Sequence, residues 1–252
     1  VSGFDVVLQQ PTGAEDILLQ EAPVCDTALA LEFIARLARP LDGSAIEWGT
    51  LCVTDIDALM LLFRQILLGD FIRADVNCPA KGCGRRIDVA FSIEDYLAHH
   101  IPRPARGVER SDEAGWFRFR NAPVSFRLPS GADQVAIARL PKTQQALIQQ
   151  CMRPANLSTR QRKRVEVAME ALAPSLSDDL QGTCSECGAV VSIYFDAQQF
   201  SLQELCNHAA SIYEDIHLLA LHYHWSQEEI LALPRNRRIR FVEMVQQERI
   251  LA

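Results

Sequence analysis

Apolar residues recur every three or four positions through much of the first third of the chain, the spacing of one helix face. From Asp26 to Arg39 they fall at Leu29, Phe33, Ile34 and Leu37, and Pro40 ends the run. A second run opens at Thr54-Asp55-Ile56-Asp57 and continues to Leu68, with Ile56, Leu59, Met60, Phe63, Ile66 and Leu67 as its core-facing stripe and Gly69 placed to stop it. Ahead of both, Thr12-Gly13-Ala14-Glu15 has the form of a capping box, in which a hydroxyl and a carboxylate three residues later satisfy each other's exposed amides. The period then shifts to two. Phe71–Val76 and Ile87–Phe91 alternate as half-buried strands do, and flank a turn rich in Gly and Cys. Trp116–Arg120 and Val124–Leu128 predict a short hairpin. Helices are predicted around Ala146–Met152 and Ser158–Ala173, and a strand over Val190–Phe195. Leu202, Leu205, Cys206, Ala209, Tyr213, Ile216, Ala220 and Tyr223 form the most regular stripe of all. Ser226 with Glu229 opens a short helix beyond it, and Pro234 precedes a last one through Leu251.

The two halves echo each other. Pro129-Ser130-Gly131-Ala132-Asp133 repeats Pro11-Thr12-Gly13-Ala14-Glu15, and each is followed by helices, a cysteine turn and a strand. The expected fold is therefore α+β, mainly helical, with small antiparallel sheets around a pair of zinc knuckles in pseudo-duplicated halves. Residues 1–101 would form the first half, the Arg-, Pro- and Gly-rich stretch 102–115 a linker, 116–200 the second half, and 201–252 a C-terminal helical segment.

Composition narrows the function. The 252 residues are 48% apolar and 23% charged, ordinary globular usage, and 25 Lys and Arg against 32 Asp and Glu give a net charge of −7. An acidic chain is no general polyanion binder, so nucleic acid is not the expected partner, although a local basic patch is compatible with that total. The beginning lacks a basic leader followed by an apolar run. The greasiest stretch, Ala58–Leu68, is broken by Arg64 and Gln65 and falls well short of the roughly 20 apolar residues a bilayer needs. A soluble, cytoplasmic protein is expected, with no membrane partner. Thiols stay reduced there, so eight cysteines point to metal or to burial rather than to disulfides.

Four of the eight carry the strongest chemical signal. Cys78 and Cys83 are separated by four residues, Cys184 and Cys187 by two, and each pair is followed by Gly. Tight turns of this kind aim amides at thiolates, and Gly tolerates the backbone angles they demand. The pairs lie about a hundred residues apart, too far for one local ribbon. If the halves pack about a pseudo-twofold axis, the knuckles meet and supply four sulfurs for a structural Zn2+. Four thiolates leave no position for a reactive water, so a catalytic zinc is not expected and no catalytic residue is singled out. A redox role for Cys184 and Cys187 lacks the strand–helix setting of thioredoxin-like motifs. Cys25, Cys52, Cys151 and Cys206 stand singly, and none has a sequence neighbour that suggests a nucleophile.

Weaker patterns have plain explanations. Glu204, His208, Ser211, Asp215 and His222 share the polar face of the C-terminal stripe, read here as a solvated or interface side. Arg160, Arg162, Lys163 and Arg164 precede Glu166 and Glu170, and Arg235, Arg237, Arg238 and Arg240 precede Glu243 and Glu248, as intrahelical ion pairs would. No phosphate-binding Gly loop and no Gly-x-Ser-x-Gly elbow is present.

Taken together, the two Pro-Thr/Ser-Gly-Ala-Glu/Asp motifs, the knuckles, and the ending Tyr213-Glu214-Asp215-Ile216-His217-Leu218-Leu219-Ala220 through His222-Tyr223-His224-Trp225-Ser226 and Glu229-Ile230-Leu231-Ala232-Leu233-Pro234 resemble the T-even-type phage baseplate hub assembly family. The resemblance covers most of the chain. It implies a non-enzymatic component of a contractile tail or phage-tail-like injection particle, which either helps the hub form or stays in the particle. Its partners would be baseplate and hub proteins, met through Tyr213, His217, Tyr223 and Trp225. Trp and Tyr are common interface anchors, and Trp225 fits a core equally well. A zinc-ribbon nucleic-acid-binding regulator is the alternative from another class.

Overall fold

The computed structural model describes residues 1–138 and 143–251. In chain order its elements are β1 (Val6–Leu8), α1 (Gly13–Glu21), α2 (Thr27–Leu37), β2 (Ala38–Pro40), α3 (Val53–Leu68), β3 (Phe71–Asn77), β4 (Arg86–Ser92), α4 (Ile93–His99), β5 (Val108–Arg110), β6 (Trp116–Phe119), β7 (Ser125–Arg127), α5 (Gly131–Ile137), α6 (Thr143–Gln150), β8 (Met152–Arg153), α7 (Thr159–Leu172), β9 (Ser177–Thr183), β10 (Val190–Asp196), α8 (Ala197–Ala209), α9 (Ile212–Tyr223), α10 (Gln227–Leu231) and α11 (Arg235–Leu251). The fold is α+β, and all of its strand pairs are antiparallel. Among the described residues no helix is long and apolar enough to cross a membrane.

The chain divides into two compact units. One comprises residues 1–3 and 47–198, the other 4–46 and 199–252. The second is thus built from two stretches of chain with the first inserted between them.

The inserted unit contains three sheets. Strands β5-β6-β7-β8 form one in sequence order, and β3–β4 and β9–β10 are separate two-stranded hairpins. The hairpin expected at 116–128 is the β6–β7 pair, with Phe117 opposite Phe126. Its neighbour β5 lies within 102–115, so part of that polar stretch is strand rather than linker. Phe119, Val124, Phe126, Met152, Leu157, Val165 and Met169 pack between this sheet and α7. Helix α3 follows the expected stripe with one exchange. Ile66 faces outward, and Arg64 is buried so that its guanidinium donates to the Gly69 carbonyl at the helix C-terminus. Gly69 itself takes a positive φ of 89°.

Asp57 is a buried carboxyl in the same unit. Gln198 Nε2 donates to its Oδ1 at 3.2 Å. Burial, reinforced by the nearby Asp196 charge, pushes its pKa from 3.8 up to about 8. A carboxyl whose pKa is raised on folding binds its proton more tightly in the native state. Stability therefore falls as pH rises from the unfolded value through the folded one.

The second unit is held by charge as well as by apolar packing. Both capping boxes expected there form, Thr12 with Glu15 on α1 and Ser226 with Glu229 on α10. The regular C-terminal stripe is not one helix: it breaks at residues 210–211 into α8 and α9. The Pro11 carbonyl accepts from the Arg235 amide at 3.0 Å, and Thr12 bridges Pro234. A Cβ on Gly13 would lie 2.7 Å from Leu231 Cδ2 and 2.8 Å from its Cα, so only Gly lets α1 approach α10 this closely. Beneath that contact, Asp16 accepts from Arg235 Nε at 2.8 Å and from Arg238 Nη2, and Asp215 accepts from Arg238 Nε at 3.1 Å. All four side chains are buried. This corrects the reading of the second basic cluster as intrahelical ion pairs: Arg240 does pair with Glu243 at 3.2 Å, but Arg235 and Arg238 pair with Asp16 and Asp215 of other helices. It corrects Asp215 too, which belongs to the interior and not to a polar face.

Three outcomes follow for stability. Asp16→Asn leaves two buried guanidinium groups with one carboxylate between them and should cost about 3–5 kcal/mol, the range for breaking buried ion pairs, in urea unfolding. Gly13→Ala should lower stability by about 1–3 kcal/mol through overpacking on Leu231. Asp57→Asn should remove the decline in stability between pH 4 and 8, leaving the variant the more stable of the two at pH 8 by a few kcal/mol; parallel melting curves for the two proteins across that range would contradict the assignment.

Candidate metal centre

The four sequence-selected cysteines come together at the tips of the two hairpins, whose strands are seven residues each. In the first, β3 and β4 pair from Phe71↔Ser92 to Asn77↔Arg86, and the connecting turn closes through the Cys78 amide donating to the Arg85 carbonyl at 2.8 Å. In the second, β9 and β10 pair from Ser177↔Asp196 to Thr183↔Val190, and the Cys184 amide donates to the Ala189 carbonyl at 2.9 Å. Gly84 and Gly188, each directly after the second cysteine of its pair, have φ of 57° and 70°. A side chain at either would strain the turn.

The four Sγ atoms all lie within 4.8 Å of one another. Cys78 and Cys187 are 3.6 Å apart, Cys83 and Cys184 3.9 Å. A metal–sulfur distance of about 2.3 Å in a regular tetrahedron requires sulfur–sulfur edges of roughly 3.8 Å, a value these two separations bracket. A disulfide would require about 2.05 Å, so the set is reduced. Cys78 and Cys184 are buried, Cys83 is half-buried and Cys187 is exposed. Val76, Ala80, Ile87, Ala189, Val191 and Ile193 wrap the sulfurs in apolar surface.

Backbone amides tune the thiols. The Cys187 and Glu186 N–H groups aimed at Cys184 hold its thiol down to about 7. At Cys187 the Ala189 amide acts in the same direction, but the sulfurs of Cys83 and Cys78 outweigh it and push the thiol up to about 12. Four sulfurs this close cannot all ionise without a cation among them. A soft, thiophilic metal ion would resolve that conflict, and these residues supply a complete tetrahedral donor set for one.

The opposite ends of the two hairpins also meet. Phe91 lies edge-on to Phe195 at 5.2 Å, Tyr96 contacts both rings at 5.4 Å, and its hydroxyl donates to the Leu176 carbonyl at 3.1 Å. Sulfur at one end and aromatic rings at the other thus clamp two ribbons that could not stand alone.

The remaining candidates are placed as follows. Tyr213 and His217 are exposed on α9, and the Tyr213 hydroxyl donates to Glu21 at 2.7 Å. Tyr223 stacks on Trp225 at 4.8 Å, and Trp225 sits edge-on to Phe241 at 5.0 Å, so both rings are committed to packing between α9 and α11. His222 reaches Glu248 at 3.1 Å. Arg160, Arg162, Lys163 and Arg164 form no ion pair among the described residues; Arg164 instead lies 4.1 Å above the Phe119 ring, and Glu170 accepts from the Ser175 amide. A cavity of about 610 Å³ lies in the inserted unit among Cys52, Arg110, Trp116, Phe117 and Arg127. Arg127 is locked to Asp133, and burial, with Asp55 nearby, pushes the Cys52 thiol up to about 12. The cavity therefore holds a protonated thiol rather than a nucleophile. Sequence reasoning missed one cysteine contact altogether: Cys25 and Cys206, read as single, touch at 3.3 Å.

Comparison of the chain with models of known families, with curated proteins and with solved structures finds no match. The donor geometry and the sequence motifs therefore carry the functional reading.

Metal analysis of the purified protein should return one ion per chain. Cys184→Ser should release it and lower stability by several kcal/mol. Since every ligand must be a thiolate, occupancy should fall as pH drops, with protons competing for sulfur. Equal melting of wild type and variant in the presence and absence of chelator would contradict a structural ion.

Proposed function

We propose that the protein is a non-enzymatic structural or assembly component of a contractile tail baseplate, a hub assembly factor or minor baseplate protein, stapled by Zn2+ bound to Cys78, Cys83, Cys184 and Cys187. The observation that carries the non-catalytic half of this reading is the closed set of four sulfurs, whose tetrahedron leaves no edge open for water or substrate. Zinc is the ion that four thiolates in a tetrahedron suit best.

A duplicated origin accounts for the convergence of the two knuckles. Counting from the glycine after each knuckle, Phe91 corresponds to Phe195 and Cys83 to Cys187, while Cys78 and Cys184 are each the first cysteine of their turn, the first turn being two residues longer. The close sulfur contacts are reciprocal, first cysteine of one pair to second of the other, and the corresponding phenylalanines meet each other. Reciprocity of this kind is what a two-fold relation produces.

The baseplate assignment rests on the resemblance, and the packing of its motifs supports it. Pro11-Thr12-Gly13-Ala14-Glu15 and the segment through Pro234 are more than two hundred residues apart, yet they contact each other through Pro11, Gly13 and Leu231. The two motif segments thus pack as one structural element, which is the support the fold offers to the resemblance. In this reading the protein acts in the cytoplasm on hub proteins, either leaving after assembly or travelling with the particle. The outward Tyr213 and His217 are its contact residues, with Tyr223 and Trp225 shaping the surface from beneath.

One observation favours the nucleic-acid-binding regulator as a second reading. Residues 102–172 carry 13 Lys and Arg against 6 Asp and Glu, while the unit formed by 4–46 and 199–252 carries 7 against 14. The positive charge of an acidic protein is thus gathered on one module. Its loop beside α7, where the Arg103 amide donates to the Ala171 carbonyl at 2.6 Å, adds Arg103 and Arg106 to Arg160, Lys163 and Arg164.

Pull-down of the tagged chain from particle-producing cells, with and without nuclease, distinguishes the two. The assembly reading expects hub and tube proteins to co-purify despite nuclease, and an Arg160→Glu/Lys163→Glu double variant to retain them. Recovery that disappears with nuclease, together with DNA binding whose log–log salt slope falls by about 2 in the double variant, would replace it with the regulator.

A further inference from the structure

Cys25 lies in the connection between α1 and α2 and is half-buried, beside Val24, which is 60% exposed. Cys206 is buried on α8 at 6% exposure. Their sulfurs are 3.3 Å apart. The contact does not depend on the sulfurs alone, because Gln20 Nε2 at the end of α1 donates to the Cys206 carbonyl at 2.7 Å and holds the two backbones in register. Burial, and after it the contact with Cys25, pushes the Cys206 thiol up to about 12, so it stays protonated at neutral pH. The remaining cysteines offer no comparable pair outside the metal cluster: Cys52 and Cys151 are buried, Cys151 Sγ lies 4.0 Å from Asp133 Oδ2, and neither makes a sulfur–sulfur contact among the described residues. A pair of touching thiols, one reachable from solvent and one sheltered, is the arrangement of a peroxidatic and a resolving cysteine.

We propose that Cys25 and Cys206 form a reversible redox modification site, oxidised by hydrogen peroxide to a single disulfide that links residues 4–46 to residues 199–252. The Cys25 thiolate attacks the peroxide, the O–O bond breaks, and the departing hydroxide takes up a proton to leave as water; Cys25 becomes a sulfenic acid. The Cys206 sulfur then attacks the Cys25 sulfur, the S–O bond breaks, and the leaving hydroxide takes the Cys206 proton as a second water. Two thiols lose two electrons, and one peroxide is reduced to two waters. A dithiol reductant reverses the change by exchange. Closing the bond shortens a 3.3 Å contact to about 2.05 Å, a movement that a loop residue such as Cys25 can supply.

The consequence is specific to the chain's topology. The unit formed by 4–46 and 199–252 has no covalent link between its two segments except through the whole inserted unit. The disulfide would supply a direct one and restrict the unfolded chain through a very long loop. This inference does not depend on the baseplate reading.

The test uses the full chain, metal-loaded, treated with hydrogen peroxide, alkylated without reduction and digested for mass spectrometry. The expected product is a Cys25–Cys206 linked peptide lighter by two hydrogens, reversed by dithiothreitol, formed with the metal retained and accompanied by a rise of several degrees in Tm. In Cys206→Ser, Cys25 should stop at the sulfenic acid and be trapped by dimedone. Recovery of Cys25 in the oxidised wild type as a sulfinic acid or an alkylated thiol, or cross-links confined to the four knuckle cysteines with loss of metal, would overturn the proposal. The wild-type digest decides the matter even if the variant does not fold.

Discussion

A two-stranded ribbon of seven-residue strands buries too little to be stable by itself. The inserted unit contains two such ribbons, and their joining at both ends is the constraint on which its architecture rests. Four sulfurs meet at the tips, and Phe91, Tyr96 and Phe195 meet at the bases. The two clamps differ in kind. Aromatic packing is a graded, solvent-driven contribution, whereas the sulfur cluster is electrostatically unfavourable as four thiolates and becomes favourable only around a cation. Were an ion held there, folding of the ribbons and its acquisition would be one event in thermodynamic terms. This is also why the backbone amides at Cys184 matter: they lower the cost of the first thiolate and so prepare the site.

The other unit solves the same problem with charge. Asp16 between two buried guanidiniums, with Asp215 completing the set, ties α1, α9 and α11. Buried ion networks seldom add net stability over a well-packed apolar core, but they penalise any arrangement that leaves a member unpaired. Together with the close approach at Gly13, the network permits few alternative packings of these helices. The surface presented by Tyr213 and His217 is consequently carried on a rigid support.

What could be read from the sequence was local. Thr12–Glu15, Ser130–Asp133 and Ser226–Glu229 form the capping boxes their spacing announces, and the cysteine turns form where Gly and Cys coincide. Each of those signals lies within a few residues of its partner. Legibility failed where the partner was remote. Arg235 and Arg238 look like a basic run with intrahelical partners until Asp16, some 220 residues earlier, is placed beside them. Cys25 and Cys206 are separated by 181 residues, and nothing near either announces the other. Strand β9 was missed for a different reason: Ser177–Thr183 has Leu180 as its one large apolar residue and is held by ladder pairing with β10 rather than by a buried face. The break between α8 and α9 was hidden because the apolar period runs through it unchanged.

The discontinuity of the unit built from 4–46 and 199–252 has a consequence for synthesis on the ribosome. The N-terminal stretch, with Asp16 and the Gly13 surface, emerges early and must wait unsatisfied until the last helices follow it. Residues 47–198, by contrast, form a continuous stretch that can collapse and bring its four cysteines together while translation continues. The nascent chain would thus carry a finished module between two halves of an unfinished one, and the orphaned N-terminal helices would be the segment most exposed to chaperones or to premature association.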